Sequence, residues 1–342
     1  MPQAEYLQYG GQAIVEGVMM RSPRHFAIAC RAPNGQIVLV SEALEKTWVG
    51  RQKWLKLPFL RGSLALVDSL ALGYKALKFA SNVQLDPKYQ PAPADGEAPP
   101  PSQEMPSERV QDVAVGFALV AGLAIGLGLF LYLPNVLAEQ LTRWGVRSSL
   151  EKNLVTEVIK ITFFIGYLWG ISRMPEVARM FMYHGAEHKA INTLEAEQEL
   201  TLENCKAQTR LHPRCGTSFA IVVLLVSLLL FTFVPRYPFP ALEGRIFLAA
   251  TVRFFLELLI LPLIAGASYE LIRLAGKFRR SELVMALFWP GLKTQLITTN
   301  EPDESQIEVA LTALKAVVEA ETSGATPKTA GAHLIAATLP TA

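Results

Sequence analysis

Cysteine is scarce in this sequence of 342 residues: Cys30, Cys205 and Cys215 are the whole supply, without the paired spacing of a disulfide framework. That usage fits a reducing compartment and sets aside the disulfide-stapled secreted class. Charge is scarce too, at 18% against 51% hydrophobic residues, which leans away from an ordinary soluble protein. The two signs nearly cancel, leaving +2, so the chain has no basic field to argue for nucleic acid, and no such partner is expected. The opening residues, MPQAEYLQYGG, lack a charged segment followed by an apolar one, so no cleaved signal is expected. With only five histidines in the chain, any cluster of them is informative.

What the sequence does have is long apolar runs. Residues 113–133 carry no charge over 21 positions, and residues 217–234 none over 18, lengths that suit a bilayer crossing. Two further runs are interrupted: 154–172 by Glu157 and Lys160, and 246–267 by Arg253 and Glu257. Together they predict an α-helical multi-pass membrane protein with about four spanning helices and a small β-rich cytosolic domain at the N-terminus, with the lipid bilayer as its first partner. Lys and Arg number 12, 6 and 7 in segments 1–112, 173–216 and 268–342, against 3 and 2 in 134–153 and 235–245. By the positive-inside tendency both termini and the loop 173–216 are expected in the cytoplasm.

Outside the runs, residues 1–57 read as the β-rich domain. QAIVEGVMM, HFAIACRA and IVLVSE supply strands, and Asn34-Gly35 signals a hairpin. Glycines crowd the stretch YGGQAIVEG and suggest close backbone approach there, while Glu16 and Arg21 either belong to a site or, as the default, read as a solvated strand face. Residues 58–82 form a helical pattern with charges too evenly spread for a span, which fits an interfacial helix or one packed on the first domain. Seven prolines within 86–109 predict a disordered linker. The membrane domain covers 110–298, with 135–152 as a short amphipathic segment. An amphipathic helix follows over 299–321, lined by Ile307, Leu311, Leu314 and Val318, and a disordered tail closes the chain at 322–342. Gly122 and Gly126 form a G-x-x-x-G pair that admits a close helix neighbour, consistent with a homo-oligomer.

The chemistry concentrates in YHGAEHKAIN, residues 183–192. His184 and His188 stand four apart, so on a helix both imidazoles share a face and can reach one ion. Glu187 lies between them, in the H-x-x-E-H order of the inverted zincins, as candidate catalytic base. Two neutral imidazoles are half of a common zinc site; the plainer reading is two helix-surface histidines bonded to neighbours. Gly185 is a poor helix former, which hints that something approaches the backbone closely there. Candidate third ligands are Cys215 and His212 in RLHPRCGTSF, and Glu270 in SYELIR, 82 residues beyond His188. Asn192 and Glu195 continue the same helix face and are candidates for supporting the ligands. Arg253 and Glu257, four apart in the fourth run, can neutralise each other there or line a polar path.

Taken in order, YGGQAIVEGVMMRSP, YHGAEHKAIN, RLHPRCGTSF, SYELIR and PGLKTQLITTNEPDESQIEVAL resemble the YqhQ-like family of bacterial membrane proteins, over nearly the whole chain. The resemblance implies a bacterial plasma membrane, or an internal photosynthetic one. Its label of predicted metal-dependent enzyme falls on His184, Glu187 and His188. The leading expectation is a zinc-dependent hydrolase at the cytoplasmic membrane face, acting on a membrane-protein segment or a lipid. A non-enzymatic assembly or insertion factor that docks a cytosolic partner is the alternative. A transporter using Arg253, Glu257 and Glu270 ranks last.

Overall fold

The structure is a computed structural model that describes residues 9–44, 57–91, 108–141, 145, 148–278 and 281–323. Most of the proline-rich linker and of the terminal tail lies outside these residues, as does 45–56.

Four antiparallel strands, β1 (Gly10–Ile14), β2 (Gly17–Arg21), β3 (His25–Arg31) and β4 (Ile37–Ala43), pair in sequence order. QAIVEGVMM thus forms two strands. The chain reverses at Val15–Glu16, where Glu16 takes a positive φ of 52°. The Asn34-Gly35 turn joins β3 to β4, with Gly35 at φ 86° and the Gln36 amide bonded to the Asn34 side chain at 3.1 Å. Successive strand residues face opposite sides. Val18, Met20, Ala27, Ala29, Ile37 and Leu39 enter one core, whereas Ile14, Met19, Phe26, Ile28, Cys30 and Val38 enter another. Both faces are therefore buried, which is why HFAIACR is apolar almost throughout.

The sheet owes each cover to a distant segment. Helix α1 (Leu60–Leu85) lays Leu72, Ala76, Ala80 and Val83 on one face. The other face takes α5 (Pro175–Glu195) through Tyr183, Ala186, Ala190 and Leu194, and α10 (Glu304–Ser323) through Ile307, Leu311 and Leu314. The expected β-rich unit is thus one layer of a three-layer assembly that uses residues from both ends of the chain. Asp303 and Gln306 exchange side-chain-to-backbone bonds at the start of α10, at 3.0 and 2.9 Å, and set its first turn.

The rest is helical: α2 (Glu108–Leu127), a π turn (Gly128–Tyr132), α3 (Leu133–Gln140), α4 (Ser149–Ile171), the short α6 (Leu202–Ala207), α7 (Gly216–Phe233), α8 (Ile246–Lys277) and α9 (Glu282–Thr298). Among the described residues, four stretches are long and apolar enough to cross a membrane: Val113–Gln140, Ser149–Ile171, Gly216–Phe233 and Ile246–Leu274. The first runs seven residues beyond the charge-free stretch and absorbs part of the expected 135–152 segment. Helix continues there because Asn135 and Glu139 turn inward to Arg236, at 2.9 and 2.8 Å. For the same reason the interrupted runs remain helices: Lys160 bonds Glu157 and Glu257 at 2.8 and 3.0 Å, and Arg253 lies beside Glu257. Buried ions are tolerated where they pair with one another.

Candidate metal centre

Helix α5 begins with Pro175 at its first turn, where a missing N–H costs nothing. Its residues 184, 188, 192 and 195 form one stripe, and the loop before α7 is fastened along it. The Asn192 amide donates to the carbonyls of Thr209 and Leu211, at 2.7 and 3.1 Å. Farther along, Glu195 accepts from Arg214 and lies 3.4 Å from His212 Nε2. Gln295 of α9 holds the loop from its other side, accepting from the His212 amide at 2.8 Å and donating to the His212 carbonyl at 2.7 Å.

This clamping delivers Cys215, the residue that caps α7, to the two histidines. Sγ of Cys215 lies 3.2 Å from His184 Nε2, and ligand atoms of His184, His188 and Cys215 all fall within 4.8 Å of one another. The opposite ring nitrogens are both engaged: His184 Nδ1 with the Thr298 carbonyl at 2.8 Å, His188 Nδ1 with the Arg210 carbonyl at 2.6 Å. A carbonyl only accepts, so each Nδ1 carries its proton and each neutral ring keeps its lone pair on Nε2. Metal-ligating histidines are oriented in this way by their outer neighbours.

The electrostatics agree with a donor set. Burial alone would push the Cys215 thiol up, but the facing His184 and His188, by charge and hydrogen bond, hold it well below its ordinary range. Its place at a helix N-terminus acts in the same direction. For His184 burial opposes the charged ring, yet the facing Cys215 raises the imidazole to about 9. The two groups thus shift each other in opposite directions, the thiol down and the imidazole up, and a cation binding here would compete with the proton they share. Two imidazoles and a thiolate suit zinc among the common ions.

Glu187 is buried at 5% exposure, and burial raises its carboxyl despite the nearby His184 and His188. It accepts a hydrogen bond from the Gly11 amide of β1. A Cβ on Gly11 would come within 2.9 Å of the Glu187 carboxyl carbon, so the glycine admits that carboxylate against the sheet edge. On the opposite flank, a Cβ on Gly185 marks where the Asn300 carbonyl comes closest to α5.

The structure brings together only part of the expected donor set. His212 is buried beside Glu195 and outside the His184–His188–Cys215 group, and burial lowers its imidazole. Glu270 is remote: it forms a bidentate pair with Arg61 of α1. Asn192 and Glu195 hold the loop that carries Arg210 and Cys215. Residues that the sequence did not single out are Thr298 and Arg210, which act through main-chain carbonyls, together with Gln295 and Gly11. Glu16, read as a solvated strand residue, instead binds Arg179 and the Tyr183 hydroxyl of α5.

Replacing Asn192 with alanine should free the 209–211 segment, whose Arg210 carbonyl orients His188, and weaken the hold on any ion at this site by up to about 10-fold, less than the cost of losing a direct neighbour of a ligand. Competition with a chromophoric chelator reads this directly, with the unfolding midpoint as a check on folding.

The fold defines a helical protein with four membrane-length apolar helices and a small sheet closed by three further helices. Residues 57–320 match the family described as "Protein of unknown function (DUF1385)". Over 316 residues, 92% of this chain and 93% of the relative, the sequence is 31% identical to "Uncharacterized protein YqhQ" of Bacillus subtilis (strain 168). The chain belongs to that YqhQ-like family. Neither description names a metal or a reaction, so the enzyme label attached to the resemblance gains no support from them. No solved structure matches.

Proposed function

We propose that this chain is an integral membrane protein with four spans that binds a zinc-class ion through His184, His188 and Cys215 at the cytoplasmic membrane face and acts there as a hydrolase. The observation that carries the reading is the convergence of three donors with both imidazoles fixed from behind by backbone carbonyls. The Lys and Arg distribution supports a cytoplasmic position for this site and for both termini. When bound, the ion would supply Lewis acidity and lower the pKa of a nearby water. His184 and His188 hold their ligand nitrogens in place, and Cys215 adds negative charge. Glu187, adjacent in sequence and buried with a raised pKa, takes and returns the proton as general base. A site at the start of a span suits a substrate presented by the bilayer, a lipid or a membrane-protein segment.

One feature favours a second reading, in which the ion serves as a structural clasp in an assembly factor. The Glu187 carboxylate is engaged by the Gly11 amide, and His188 and Cys215 are buried. Metal analysis of the detergent-purified chain should find about one zinc per chain, lost in the His184→Ala, His188→Ala variant. Cobalt loading should give a thiolate-to-metal absorption band that disappears in Cys215→Ser. A Glu187→Gln variant that keeps metal and fold but fails to complement a strain lacking the protein supports hydrolysis. One that complements fully supports the clasp. Absence of bound metal after zinc supplementation would overturn both.

A further inference from the structure

Helix α1 has two different halves. The second half packs on the sheet through Leu72, Ala76, Ala80 and Val83. The first half packs closely on α8. A Cβ on Gly62 would meet Gly266 and Tyr269, Ser63 donates to the Pro262 carbonyl at 2.9 Å, and Arg61 pairs with Glu270. Just before and just beyond that contact, apolar side chains are uncovered: Leu57, Phe59, Val67 and Leu70 are 55%, 50%, 51% and 72% exposed, with Leu66 beside them.

The depth of that contact points to the occupant. The apolar run Ile246–Leu274 has 29 residues, about 44 Å of helix against roughly 30 Å of hydrocarbon. From Pro262 to Leu274 is about 18 Å along the axis. Even if the whole excess of about 14 Å projected on the cytoplasmic side, the Ser63–Pro262 contact would still lie inside the hydrocarbon. The main chains meet nearest Gly266, about 12 Å before Leu274. With the excess shared between the two sides the crossing lies inside the hydrocarbon as well, and uncovered side chains beside it meet acyl chains, continuous with the exposed apolar residues of α8.

We infer that residues 57–71 are seated in the cytoplasmic leaflet, with Leu57, Phe59, Leu66, Val67 and Leu70 against acyl chains, while the rest of α1 stays on the sheet. The charges of this half do not oppose it, because Arg61 is paired with Glu270 and Asp68 has an interaction partner. Helix α1 then acts as a strut that fixes the sheet, and with it the edge strand against Glu187, at a set height over the membrane. This rests on the membrane reading of the four apolar helices.

The test uses the full chain in liposomes, with one nitroxide at a time on Val67→Cys or Leu70→Cys and the parent protein as background. Two reference positions are Phe255→Cys on α8, 60% exposed within the fourth run, and Val15→Cys in the β1–β2 turn, 47% exposed. Collision with oxygen at residues 67 and 70 should match residue 255, with loss of the nickel-chelate collisions seen at residue 15. Nickel access at 67 and 70, with 255 still shielded, overturns the inference and leaves the membrane reading standing. Shielding from both reagents means that protein, a second copy above all, covers the face, and overturns it too. Nickel access at 255 sinks both readings.

Discussion

Replacing Arg236 with alanine is expected to destabilise the protein by about 3–5 kcal/mol, the cost of stripping one partner from a buried ion pair. Arg236 lies in the loop after the third apolar helix, and its side chain is fully buried against the first and second apolar stretches. It donates to Glu139 at 2.8 Å, to Asn135 at 2.9 Å and to Thr156 at 3.0 Å. Removing it leaves the Glu139 carboxylate with Tyr237 as its other neighbour, at 2.7 Å, in surroundings that solvate an anion poorly. The pair as a whole contributes much less than the loss of one member, since an apolar replacement of both avoids the desolvation of either. The double variant Arg236→Met, Glu139→Leu should therefore recover much of the loss. Unfolding midpoints in one detergent, compared across the parent and both variants, decide the matter. A single variant as stable as the parent would show that the cluster is hydrated.

The second large effect is expected at Gly185, where alanine should destabilise the chain by about 2 kcal/mol or more and weaken metal binding with it. On an exposed helix the same change would stabilise by up to about 1 kcal/mol, because alanine is the better helix former. Here the added methyl group meets the Asn300 carbonyl, which is main chain and yields little. Asn300 is itself fixed, its amide bonded to the Phe181 carbonyl at 2.9 Å and its side chain to the Ala178 carbonyl at 3.0 Å. Displacing this segment also moves Thr298, whose carbonyl orients His184. A thermal melt and a chelator competition on the same preparation test both halves. A stabilised Gly185→Ala variant with unchanged affinity would refute the close packing.

These two sites show what was legible in the sequence and why. The spacing of His184 and His188 placed both rings on one helix face, and the glycine between them announced a close neighbour, which proved to be Asn300. Cys215 was legible as a donor type just ahead of an apolar run. Glu270 came from separation along the chain alone, which says nothing of direction; in space it belongs to Arg61. Thr298 and Arg210 were beyond reach because they act through carbonyls that every residue possesses. The Gly11–Glu187 contact depends on how a sheet docks on a helix, to which neither local pattern points. Absence of charge located the apolar helices but ended the first too early, since it could not foresee Asn135 and Glu139 turning inward to an arginine in the loop after the third apolar helix.

The route of the chain through its small sheet bears on the order in which the protein can be completed. Strands β1 to β4 leave the ribosome first, yet α10, which covers β2, β3 and β4 on one sheet face, is made only after all four apolar helices. Throughout that interval Val18, Met20, Ala27 and Ala29 lack part of their cover, a state prone to faulty association in a nascent chain. Synthesis of the last helix is thus the event that seals the first strands, and a ribosome stalled before residue 304 would hold a protein whose apolar helices are made and whose sheet stands open.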